Sequence, residues 1–243
     1  MQEMLKVQDL WVSVADREVL KGVTFSINYG EVYVLLGPNG AGKTSFIMAL
    51  MGFPRYKVEK GKIFFKGEDI TNKDVYERAR LGFGVSFQRP PTVRGVTLRK
   101  VTEIISVEEE KVRDFSEKLN LSGLLDRGLN DGFSGGEMKR SELLQLMAQR
   151  PDLVFIDEPE SGVDLENIAI VGDAINMLLG REDRVKGPKR SAIIITHTGY
   201  ILDYVNADKG FIIYDGQLVC GGNPRDILAE IKKYGYRRCS VCQ

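Results

Sequence analysis

The chain has 243 residues, 43% of them hydrophobic, enough to bury one substantial core with a smaller lobe attached. Lysine plus arginine equals aspartate plus glutamate at 34 each, so there is no net basic field to gather nucleic acid or an anionic membrane, and no nucleic-acid partner is expected. The longest apolar runs, at 32–36, 192–195 and 210–214, are strand-length against the roughly 20 residues of a membrane helix; with no secretory-type start and three cysteines, no direct membrane insertion and a reducing cytoplasm are expected.

In chain order, "LKVQDLWVSV" and "VTFSINYG" alternate apolar and polar residues around the turn "ADRE", which predicts antiparallel β structure. The apolar strand "VYVLLG" then runs through a glycine-rich turn into the helix "TSFIMALMG", and "GKIFFKGEDI" predicts a further hairpin. From 97 to about 120 the pattern becomes charged and helix-spaced, and "SGGEMKRSELLQLMAQR" starts another helix with Ser134 as its N-cap, so a helical insert is expected. After Pro151 come the buried strand "LVFID", the helix "LENIAIVGDAINMLLG", the strand "SAIIIT" and a strand near "KGFIIY". This alternation predicts an α/β fold, a parallel sheet with crossover helices. The basic stretch "GREDRVKGPKR" reads as a solvated loop, and there is no internal repeat or low-complexity tract.

Gly37, Pro38, Asn39, Gly40, Ala41, Gly42, Lys43, Thr44 and Ser45 contain G-x-x-x-x-G-K-[ST] between a strand and a helix, the context its chemistry requires. Glycines let the backbone curl so that successive N–H groups face phosphates, and the helix N-terminus adds partial positive charge. Lys43 is placed for the β and γ oxygens and Thr44 for Mg²⁺. The expected ligand is a nucleoside triphosphate. In "LVFIDEP", Asp157 ends an apolar strand where it can hold magnesium through its water shell, and Glu158 is the candidate base beside the γ-phosphate. Two acids capping the following helix are the alternative. The one histidine, His197, follows "SAIIIT" at the carboxyl end of a strand, where ligands collect in open parallel sheets, and is a candidate γ-phosphate contact. Ser134, Gly135, Gly136 and Glu137 open a helix with a second small anion nest, which makes sense if it serves a neighbouring subunit's nucleotide; a chance glycine–serine turn is the alternative.

These motifs, in this order, resemble the ABC ATPase family over nearly the whole chain. By that resemblance Gln88 is the glutamine-loop residue that contacts magnesium and the attacking water, and "SGVD" at 161–164 brings Asp164 into the loop linking two sites. The implied fold is an ABC-type nucleotide-binding domain: a RecA-like, mostly parallel sheet core at 1–88 and 150–243, with an N-terminal antiparallel β subdomain and a helical subdomain inserted at 89–149. The implied cofactors are ATP and Mg²⁺, held in an ATP-dependent homodimer in which Ser134 and Gly136 complete the partner's site. Val14 stands where many members stack an aromatic ring on adenine, so base selectivity is expected to be modest, and Trp11 reads as sheet packing.

Within the family, "GFSGGEMKR", "DEPESGVDLENI", "FQRPPTVRGVTL" and "THTGYILDYV" look most like the SufC-type ATPases of iron–sulfur cluster assembly. That likeness implies SufB- or SufD-like scaffold partners docking near 88–96; the energy subunit of a membrane transporter is the other reading. Cys239 and Cys242 are expected to be reduced thiols in a frayed tail, and Cys220 a small buried apolar residue.

Overall fold

The computed structural model describes residues 2–106, 108–181 and 189–236. The chain opens with β1 (Glu3–Val14) and β2 (Arg17–Asn28), paired antiparallel. Ala15 and Asp16 join them with φ of 47° and 61°, the doubly left-handed geometry of a type I′ turn, whose twist matches the flanking strands. β3 (Val32–Leu36) begins a second sheet, and the phosphate loop and α1 (Lys43–Met51) follow it. β4 (Lys57–Phe65) and β5 (Glu68–Asp69) return to the first sheet and complete its order, β2-β1-β4-β5. The short helix α2 (Val75–Leu81), closed by a capping box between Asp74 and Glu77, leads to β6 (Phe83–Ser86).

The helical stretch contains β7 (Val93–Thr97), α3 (Leu98–Ile105), α4 (Glu109–Lys118), β8 (Gly128–Leu129) and α5 (Gly135–Gln149), with β7 and β8 paired antiparallel. The remainder is β9 (Leu153–Asp157), α6 (Leu165–Leu179), β10 (Ser191–Ile195), β11 (Lys209–Tyr214), β12 (Gln217–Gly222) and α7 (Pro224–Tyr234). The second sheet runs β12-β11-β3-β10-β9-β6, parallel except for the β11–β12 hairpin at its edge.

Every residue of β3, β9 and β10 is buried, because crossover helices and the other sheet cover both faces of these parallel strands. Successive side chains go to opposite faces. Val34, Ile156 and Ile194 join a cluster with α5, α6 and the leucines at 119, 121 and 125. Leu35, Phe155 and Ile193 join one with the first sheet and with Phe46, Ile47 and Leu50 of α1. β3, β6, β9 and β10 are mutually parallel through their ladders, so the loops that follow them leave from one edge of the sheet.

The alternating N-terminal strands, the parallel core and the Ser134 cap are found where the sequence reading puts them. The charged stretch after 97 is divided between α3 and α4 rather than forming one helix. Helices α2 and α7 were not anticipated. Cys220 is buried in β12 within the core, as the sequence reading expects. Cys239, Cys242 and most of the basic stretch after Gly180 lie outside the described residues. Among the described residues no helix is long and apolar enough to cross a membrane.

Candidate active site

The phosphate loop leaves the central strand β3 and enters α1 through Gly42, whose φ of 106° is a left-handed conformation and which provides no side-chain cap. A Cβ at Gly37 would stand 2.4 Å from the carbonyl oxygen of Ile213, and one at Gly42 would stand 2.9 Å from that of Val19. Both positions therefore require glycine. Ala41 is buried, and its N–H donates to Pro38 O at 3.2 Å, closing the loop on itself. With no side chain capping α1, its first N–H groups are left to solvent or to an anion.

Lys43 is buried, and its Nζ donates to the loop's own carbonyls, Gly37 O at 2.8 Å and Pro38 O at 3.0 Å. Burial pushes its pKa down, opposed by the nearby carboxylates of Glu158 and Asp157. The Thr44 hydroxyl donates to Asp157 Oδ2 at 2.8 Å, across from α1 to the end of β9. Burial pushes the Asp157 carboxyl up; the Thr44 hydrogen bond opposes this and the neighbouring Glu158 charge adds to it.

Glu158, the next residue, has φ of 49°, a conformation that costs a non-glycine residue on the order of 1 kcal/mol or more. Its N–H donates to Ile195 O at 3.0 Å, which ties the turn after β9 to the end of β10. The side chain is 8% exposed. Oε2 accepts from Gln88 Nε2 at 2.6 Å, and Oε1 lies 3.1 Å from His197 Nδ1. Gln88, Glu158 and His197, brought by the loops after β6, β9 and β10, thus meet at one carboxylate. Together with Ser161 they face the loop residues Asn39, Gly40, Gly42, Lys43, Thr44 and Ser45 across a cavity of about 490 Å³.

Ser134, Gly135, Gly136, Glu137 and Asp164 do not line this cavity. Ser134 caps α5 through a reciprocal capping box: its hydroxyl accepts from Glu137 N at 3.3 Å, and the Glu137 carboxylate accepts from Ser134 N at 2.7 Å. Those Ser134 hydrogen bonds hold the Glu137 carboxyl below its ordinary value. Asp164 caps α6, accepting from Asn167 N at 2.8 Å. A Cβ at Gly135 would lie 2.0 Å from Gly162 O, so the nest sits directly against the 161–164 turn. Trp11 donates from Nε1 to Asp9 at 2.8 Å and rests on the sheet beside Gly22, and Val14 pairs with Arg17 at the hairpin turn.

The sequence reading missed three buried charges around the site. Lys139 donates to Phe87 O at 2.5 Å and Asp157 O at 3.4 Å, while Glu142 accepts from Phe87 N at 2.9 Å and Ser86 Oγ at 2.8 Å. Both main-chain groups of the residue before Gln88 are therefore held from α5. Burial pushes Lys139 down and Glu142 up, each partly offset by the other's charge. Their i, i+3 spacing within the helix was the available signal. Glu160, in the turn after Glu158, accepts from the hydroxyls of Thr196 and Thr198, and nothing local in the sequence marks it.

Over residues 20–161 the chain matches the ABC transporter family. It is 36% identical over 247 aligned positions to a probable ABC transporter ATP-binding protein of Streptococcus pyogenes, covering 96% of this chain and 93% of that one. It is 35% identical over 249 positions to the probable ATP-dependent transporter SufC of Escherichia coli, covering 96% and 97%. A solved ATP-binding cassette of an ABC transporter, in its ADP conformation, superposes with a TM-score of 0.78 at 27% identity over 96% of this chain and 97% of that one. A phosphate loop facing a buried glutamate across a cleft, on a fold shared over nearly its full length with such cassettes, leaves one conclusion: the chain belongs to the ABC transporter family and is an ATP-binding, ATP-hydrolysing cassette.

Proposed function

We propose that the chain is a Mg²⁺-dependent ATPase that pairs around ATP and drives conformational change in a soluble Suf-type iron–sulfur cluster assembly scaffold. The observation that carries the catalytic reading is the Glu158 carboxylate, held by Gln88 at 2.6 Å and beside His197 at 3.1 Å on the wall opposite the phosphate loop. In this reading the loop amides and Lys43 bind the β- and γ-phosphates, Glu158 takes a proton from the attacking water, Gln88 orients that water, and His197 contacts the γ-phosphate. Thr44, Asp157 and Gln88 offer oxygen donors of the hard kind that suits Mg²⁺. Among the described residues no group of three His, Cys, Asp or Glu is arranged to hold a metal ion, which favours an ion carried in with the nucleotide. When bound, the ion neutralises charge on the transferred phosphate.

Ser134, Gly135, Gly136 and Glu137 lie outside the cavity of their own chain, which supports their service to a second copy; Asp164, in the turn touching Gly135, then belongs to the link between two centres. The division into core, 1–88 and 150–243, and helical lobe, 89–149, is part of the same proposal. The Suf role is supported by the 35% identity to SufC over 96% of the chain. Beside the glutamine loop a groove of about 170 Å³, lined by Phe87, Pro90, Pro91 and Ile105, adjoins the exposed Val93 and Ile104, a surface suited to a scaffold protein. The name of the Streptococcus pyogenes relative favours a second reading, the energy subunit of a membrane transporter. Affinity purification under anaerobic conditions separates them: co-purifying soluble SufB- or SufD-like proteins support the first, and membrane proteins with cytoplasmic coupling helices overturn it in favour of the second.

A further inference from the structure

Glu160 has no part in the chemistry proposed above, yet it is 8% exposed and sits two residues beyond Glu158. The hydroxyls of Thr196 and Thr198 both donate to its Oε1, the second at 2.8 Å. Thr196 Oγ1 in turn accepts from the N–H of Gly199 at 2.8 Å. The hydroxyls on either side of His197 therefore converge on one oxygen of one carboxylate. Oε2 is buried without a hydrogen-bond partner among the described residues, an arrangement that costs stability and that packing alone does not require. The His197 side chain is 39% exposed, so packing does not fix the ring. Apart from its contact with Glu158, its direction follows from the turn that carries it, and the Thr196 and Thr198 side chains of that turn are what Glu160 grips.

We propose that Glu160 is a positioning residue for ATP hydrolysis: by holding Thr196 and Thr198 it sets the turn that aims His197 at Glu158 and the phosphate end of the cavity. The inference rests on the proposed roles of Glu158 and His197. It also gives the turn after β9 and the turn after β10 a second tie besides the Glu158 N–H to Ile195 O bond.

Steady-state ATP hydrolysis by the full chain with Mg²⁺ tests this. Glu160→Leu should lower kcat about 10- to 100-fold, the scale of an ångström-level misplacement, with little change in KM. Glu160→Gln keeps a carbonyl oxygen that accepts both hydroxyls and should retain most of kcat. Thr198→Val, which leaves the buried acid in place, should show a smaller loss of kcat at unchanged KM, and decides the matter if Glu160→Leu does not fold. In the His197→Ala background Glu160→Leu should add no further loss, because the two act through one group. Wild-type kcat in Glu160→Leu or, should that variant not fold, in Thr198→Val, or an undiminished Glu160→Leu loss without His197, overturns the inference while His197 keeps its role. Full kcat in His197→Ala alone overturns the role of His197 and the inference with it.

Discussion

A carboxylate can take a proton from water only if it is oriented and shielded, and Glu158 meets both conditions through Gln88, His197 and its own burial. Glu158→Gln keeps the size and one acceptor of the side chain but removes the base. ATP binding should therefore persist while turnover falls by about 10² to 10⁴, the usual range for a positioned acid–base group; nucleotide binding and single-turnover hydrolysis measured side by side check this. At the hairpin turn, Val14 supplies no ring for adenine to stack on. Val14→Tyr is expected to tighten ATP by about 0.5–1.5 kcal/mol, the worth of an aromatic stack, and to widen the preference over GTP, both readable by competition binding. The phosphate loop, Asp157, Glu158 and His197 were legible because each has a fixed place after a buried strand. Glu160 was not: its partners lie 36 and 38 positions away, and its meaning comes from which loops the sheet brings together.

Helix α5 carries the second nest at its start and grips Phe87 halfway along, so it joins the glutamine loop to the helical stretch. Lys139→Met would leave Glu142 buried without its cation, and a loss of about 3–5 kcal/mol is expected in chemical denaturation. The double variant with Glu142→Leu should recover most of it, since two matched apolar groups replace two charges. At the far end of α5, Arg150 donates to Glu108 beside the start of α4, and Lys111 pairs with the same carboxylate. These hydrogen bonds hold Glu108 down at about 2, against an ordinary 4.5. With the folded value depressed, the contribution is present above pH 4.5 and is lost as pH falls toward 2. The difference in melting temperature between the chain and Glu108→Gln should therefore shrink across that window, and shrink further with added salt because the pair is exposed. Strands β3, β9 and β10 were readable as elements because burial on both faces leaves unbroken apolar runs. Helix α7 was passed over although Asn223 and Pro224 form a standard start. Helix α2 is short and mostly polar, and its capping box is its main local signal.

For the molecule as a whole, the proposal that the two anion nests serve different reaction centres predicts that defects in them complement in mixed pairs. Lys43→Ala and Ser134→Arg chains should each be inactive alone. When mixed, one of the two centres in a heterodimer inherits both lesions and the other inherits neither, so hydrolysis should reappear and vary with the mixing ratio. Activity in Ser134→Arg alone, measured at dilution, would show that a single copy suffices. The fold class was legible throughout, since strand–helix alternation and ordered motifs report on topology; the proposed pairing of copies has only the surplus nest as its sign in the sequence. The contact of Gly135 with the carbonyl of Gly162 leaves no space for so much as a methyl group. A tilt of α5 that carries Gly135 toward Gly162 would therefore press on the 161–164 turn: in the proposed paired assembly the two centres would be geared, and a rocking motion begun at one would be delivered mechanically to the other.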